Sequence, residues 1–72
     1  MNDIYRFTEG SDSYSIRPER RRSFHGDKPS LMYYGMKNGL YVRGTTSYTP
    51  EDSLKLLVEL LGVDESSIVW EN

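Results

Sequence analysis

Asn38-Gly39 stands between two runs of aromatic, aliphatic and β-branched residues, Leu31 to Met36 and Leu40 to Thr46. A two-residue type I′ turn needs positive φ at both central positions, and Asn followed by Gly meets that need at the lowest steric cost. The dipeptide therefore predicts a β-hairpin whose register the turn dictates: Lys37 opposite Leu40, Met36 opposite Tyr41, Tyr34 opposite Arg43 and Met32 opposite Thr45. Side chains alternate across a strand, so Leu31, Tyr33, Gly35, Leu40, Val42 and Gly44 share one face. Met32, Tyr34, Met36, Tyr41, Arg43 and Thr45 share the other. Gly35 and Gly44 leave room for a close second layer, so the first face is expected to meet a helix. The second is expected to stay free, or to be covered by another hairpin in a sandwich.

The rest of the chain supplies those partners. Tyr5 with Phe7, and Tyr14 with Ile16, alternate on either side of the turn-forming Glu9-Gly10-Ser11-Asp12, so residues 3–17 read as a first hairpin. Downstream, Thr49 is a helix cap, Pro50 suits the first helical position, and Glu51 and Asp52 complement the helix dipole. The helix is expected over Pro50 to Leu61, with Gly62 left-handed beyond its end and Val63 folding back on Val58. Leu54, Leu57, Val58 and Leu61 form its expected core stripe, and Leu56 and Leu60 fall on another flank. Ser67-Ile68-Val69-Trp70 reads as a last strand, reached by a crossover long enough to make it parallel to its sheet neighbour. The order ββββαβ defines one α+β domain over residues 1–72: an antiparallel sheet of two hairpins, one helix on one face, and a short C-terminal strand. Between the hairpins, Pro18 to Ser30 is bounded by prolines and dominated by charge, and reads as a charged loop at about 18–30 or in part as an extension of the second strand.

Size and composition exclude more than they assign. A chain of 72 residues without Cys has a small core and neither disulfides nor thiolate metal ligands to reinforce it, which makes oligomerisation a natural way to bury more surface. No apolar run approaches the roughly 20 residues of a membrane span, and Met1-Asn2-Asp3-Ile4-Tyr5 lacks the features of a signal peptide. A soluble, cytoplasmic protein is expected. His25 is the single His, in a His-Gly-Asp run that is no triad, and the dispersed carboxylates and glycines match no zinc, calcium or phosphate-binding pattern. Neither an enzyme nor a cofactor site is expected.

Three features remain as candidate surfaces. Tyr34, Tyr41 and Arg43, with Met36, occupy the free face of the central hairpin, and Tyr and Arg dominate protein-interface hot spots. The same groups also stack nucleic-acid bases, or simply stabilise a half-exposed sheet. Arg20, Arg21 and Arg22, with Arg17, His25 and Lys28, form a basic cluster able to meet phosphates or carboxylates, although net charge is −2 and a solvated loop is the more usual reading of such a run. Arg20-Arg21-Arg22-Ser23-Phe24 also has the form of a basophilic kinase site. The acidic C-terminal third suits a basic groove, and Leu56 with Leu60 is either core or the seam of a homodimer. The expectation is a small non-enzymatic protein-binding domain that modulates or inhibits a larger protein, of the size class found among phage and mobile-element reading frames. The alternative is a small nucleic-acid-binding or regulatory protein that uses the Arg-rich loop and the aromatic face.

Overall fold

The computed structural model describes residues 3–22 and 29–71. Its elements are β1 (Tyr5–Glu9), β2 (Asp12–Arg22), β3 (Pro29–Lys37), β4 (Leu40–Tyr41), the helix α1 (Pro50–Leu61), a 3-10 turn (Glu65–Ser67) and β5 (Ile68–Trp70). The strands form one sheet in the order β4-β3-β2-β1-β5, with every neighbouring pair antiparallel. This is the α+β arrangement expected from the sequence.

The turn that anchors the central hairpin has its expected geometry, with Asn38 at φ 51° and Gly39 at φ 83°. Asn38 also ties the two hairpins together. Its Oδ1 accepts from the Ser13 amide at 2.8 Å, its own amide donates to the Ser13 carbonyl at 2.6 Å, and its Nδ2 donates to Asp12 at 3.0 Å. Lys37 faces Leu40 and Met36 faces Tyr41 as expected, but the ladder does not continue to Tyr34–Arg43 and Met32–Thr45. After the Val42 amide bonds Gly35, the chain turns through Gly44 at φ 84° and returns three residues out of register, with Tyr33 bridging Ser47. The excursion carries Thr45, expected on the free face, into the core. Its Oγ1 accepts from the Gly35 amide at 2.8 Å and donates to the Val42 carbonyl at 2.7 Å, satisfying backbone that a longer β4 would have paired.

Helix α1 begins and ends where its punctuation places it. Thr49 accepts from the Asp52 amide at 3.1 Å, Gly62 is left-handed at φ 62°, and the Val63 amide reaches back to the Val58 carbonyl at 3.1 Å. The helix packs on the Gly35 face, as the glycine argument required: a Cβ on Gly35 would lie 3.0 Å from Leu57 Cδ1, and one on Gly44 3.2 Å from Leu60 Cδ1. Leu57 is buried, and Leu54 and Val58 are half-buried against the core. Leu61 departs from the expected stripe and stays exposed in the last turn, because the reversal at Gly62 hands the buried position to Val63. Ser53, one turn before Leu57, is buried instead and donates to the Thr45 carbonyl at 2.7 Å. Phe7, Tyr14 and Ile16 complete the core beneath the helix.

One expectation is corrected by the topology. The last strand is antiparallel to its neighbour, not parallel. The crossover does return β5 in the direction of β4, but it spans the whole sheet and lands beside β1, which runs the other way. Of the stretch read as a charged loop at 18–30 or in part as an extension of the second strand, the described residues take the second form: β2 continues to Arg22, β3 starts at Pro29, and Pro18 to Arg22 pairs with Tyr33 back to Pro29. Neither proline breaks this ladder. The Ser13 carbonyl faces β3, so alternation turns the ring nitrogens of Pro18 and Pro29 away from the ladder and toward the ribbon's outer edges. Because β1 ends at the register of Ile16, the two strands run on as a two-stranded ribbon past the body, and the molecule measures 42 × 22 × 19 Å.

Candidate functional site

The face of the sheet opposite α1 has no second layer among the described residues. Register places Arg6, Thr8, Ser15, Arg17, Met32, Tyr34, Met36 and Tyr41 on it. Tyr34 and Tyr41 are brought together as expected, edge to face with centroids 5.5 Å apart, and Tyr41 anchors its hydroxyl on Thr46 Oγ1 at 3.2 Å. Met36 pairs with Tyr41 and is itself buried. Arg43 is not part of the group: the turn at Gly44 removes it from the sheet and leaves it exposed. Its place beside the rings is taken by Arg17, the β2 partner of Tyr34. Cross-strand pairing decides that substitution, and the single-hairpin reading had no access to it.

Charge on this face is largely neutralised. Arg17 donates to Asp3 at 2.7 Å, and Asp3 also lies 3.6 Å from Arg6, whose other side meets Glu71 at 3.7 Å. The hydrogen bond that Arg17 donates to Asp3, then the charge of that carboxylate, holds the Arg17 guanidinium above its ordinary value, with a smaller contribution from Tyr34. The platform is thus aromatic and apolar at the β3–β4 side and an internally paired ionic row at the β1–β2 side.

The basic cluster is divided by the fold. Arg20 lies exposed on the ribbon, and the backbones of Arg21 and Arg22 pair with Ser30 and Pro29. Ser23, Phe24, His25 and Lys28, including the kinase-type site, lie outside the described residues. Leu56 is half-buried and Leu60 exposed, its tip against Gly44.

A third feature was not anticipated. On the helix side, Leu54, Lys55 and Val58 of α1, Glu65, and Ile68 and Trp70 of β5 line an open groove of about 370 Å3. Trp70 forms its wall, packed on Phe7 at 5.1 Å and on Tyr5 at 6.0 Å, and Tyr5 donates to Glu51 at 2.9 Å. That bond raises the Tyr5 hydroxyl above its usual value. Burial first, then the carboxylates of Asp12 and Glu9, raises the Tyr14 hydroxyl above its usual value. The i, i+4 pair Leu54 and Val58 and the alternation of Ile68 and Trp70 were the available sequence signals.

No group of three or more His, Cys, Asp or Glu able to hold a metal occurs among the described residues, and no described helix is long and apolar enough to cross a membrane. Among the described residues the molecule is a small α+β domain, one five-stranded antiparallel sheet with one helix on one face. Compared with known protein families, curated proteins and solved structures, the chain matches none.

Proposed function

We propose that this chain is a small non-enzymatic protein-binding domain that modulates or inhibits a larger protein through the open face of its sheet. The reading is supported chiefly by the Tyr34–Tyr41 pair standing uncovered beside Met36, next to cations already paired with Asp3 and Glu71. An apolar aromatic anchor with a polar rim is how protein interfaces concentrate their energy, whereas a phosphate-reading surface needs unpaired cations. Immobilised protein is expected to retain a partner from lysate through nuclease and high-salt washes. Replacing Tyr34 and Tyr41 together by Ser should release that partner while the fold persists. Retention by the double variant would reject the open face as the binding surface.

A second reading draws on the ribbon. Its β2 segment, residues 17–22, carries four Arg against one Glu, while the rest of the chain holds five Lys or Arg against ten Asp or Glu. A two-stranded ribbon fits the roughly 12 Å major groove of B-DNA, and its projection holds the acidic body away from the phosphates. If the ribbon binds nucleic acid, changing Arg20, Arg21 and Arg22 to Ala flattens the salt dependence of binding by about one unit of slope per lost phosphate contact. An unchanged slope rejects it.

A further inference from the structure

The β4 and β5 sides of the sheet are bordered differently. At the β4 edge, the 42–48 segment folds back and Ser47 bridges Tyr33, so that side of β3 is occupied. At the β5 edge nothing among the described residues covers the strand. The Glu71 amide bonds the Arg6 carbonyl, and antiparallel pairing alternates, so Val69 and Glu71 turn their backbone groups toward β1 while Ile68 and Trp70 turn theirs outward. The Ile68 amide is taken by the Glu65 carbonyl. The Ile68 carbonyl and both backbone groups of Trp70 face outward from the sheet. The side chains of these same two residues line the groove against Leu54 and Val58.

Edge strands are usually blunted by Lys, Pro or a bulge, and β5 carries none of these; brevity is its one protection. Its surroundings are acidic: Glu9 is the partner of Ile68, and Asp64 and Glu65 precede the strand, while Glu71, which follows it, is already paired with Arg6 at 3.7 Å. Among the described residues Lys55 is the one cation lining the groove, and it stands between Glu51 and Glu59 at i−4 and i+4. Two-fold pairing of two β5 edges would bring Glu65 and Glu71 of one copy against those of the other, which like-charge repulsion disfavours.

We propose that the outer edge of β5 and the adjoining groove form a docking site for an extended segment of a partner protein, in which an apolar side chain is flanked by Lys or Arg. The segment adds a sixth strand, main-chain bonds to Trp70 and Ile68 supply affinity, and the apolar residue enters the groove beside Trp70. Its cations meet the carboxylates that ring the edge. The site lies on the opposite side of the sheet from Tyr34 and Tyr41 and stands or falls independently of them.

Trp70 is the single Trp of the chain, so intrinsic fluorescence reports on the groove directly. The probe is a blocked heptapeptide of alternating Val and Thr around a central Leu, with Lys at both ends. It is compared with a twin ending in Glu and with versions N-methylated on alternate amides in either register. The Lys peptide is expected to shift Trp70 emission to the blue and to slow exchange of the Trp70 amide at least tenfold. The Glu twin should bind at least tenfold more weakly, and one N-methylated version should lose binding. The exposed substitution Lys55→Glu should tighten the Lys peptide several-fold. The proposal is overturned if the Lys peptide leaves Trp70 unperturbed, if the Glu twin binds equally, or if Lys55→Glu weakens binding. Concentration-dependent dimerisation that protects the Trp70 amide without peptide would also overturn it, since a second copy would then own the edge.

Discussion

Tyr14 and Tyr41 lie in the same sheet with only β3 between their strands, yet Tyr14 is 3% exposed and Tyr41 51%. Their chemistry is identical, so the difference belongs to the faces they occupy. On the helix side, Tyr14 stacks on Phe7 at 5.0 Å, and Gly35 allows Leu57 within van der Waals reach of the backbone. On the open side, Tyr41 has one ring neighbour and a hydroxyl partner at the surface. For these two rings burial follows the path of the crossover helix, whereas Met36 is buried on the open face without it. A half-covered sheet of this kind draws most of its buried core from the face that takes the helix.

Truncating equivalent rings on the two faces should separate them most. Phe7→Ala removes a fully buried ring and is expected to cost about 3–5 kcal/mol, enough to unfold much of a domain this small at room temperature. Tyr41→Ala forfeits an exposed aromatic pair and should cost no more than about 1.5 kcal/mol. Urea titrations of both variants measure the gap, and equal losses would mean that the open face is packed in solution. Next in size, Gly35→Ala places a methyl 3.0 Å from Leu57 and 3.2 Å from Thr45 Oγ1, and overpacking of this kind costs about 1–3 kcal/mol. Loss of stability without change in the Tyr34–Tyr41 ring contacts, read from nuclear Overhauser effects, would confine the strain to the covered face.

Asn38→Val tests the element that positions both faces. A β-branched residue at φ 51° is strained, and the substitution also removes the bonds to Ser13 and Asp12. A loss of about 1 kcal/mol or more is expected in chemical denaturation, and none would mean the turn adapts. The smallest effect is a matter of pH. Burial raises the Tyr14 hydroxyl above its unfolded value, so the neutral form is favoured by folding. Its contribution is fully present below the ordinary tyrosine range and is lost as pH rises through the folded value. Tyr14→Phe should therefore reduce the alkaline fall in melting temperature, a difference absent near neutrality.

Much of this architecture was legible in local chemistry. The Asn38-Gly39 turn, the Thr49-Pro50 start and the Gly62 stop of α1 each depend on backbone preferences within a few residues, and each lies where those preferences put it. The covered face was legible as well, because Gly35 has no side chain to hold a helix off. The candidate binding face was only half legible: Tyr34, Tyr41 and Met36 follow from hairpin alternation, but Arg17 in place of Arg43 required knowing that β2 pairs with β3.

Sequence alone therefore determined the elements, their order and the side of the sheet that takes the helix, since these are set by residues close in the chain. Tertiary structure decided which strand β5 would join, how far β2 and β3 would run past the body, and where Thr45 would point. Each of those outcomes depends on which backbone groups lack a partner once distant strands have met. Pro18 and Pro29 look like breaks until alternation turns their nitrogens away from the ladder, and Thr45 looks exposed until the Gly35 amide needs an acceptor.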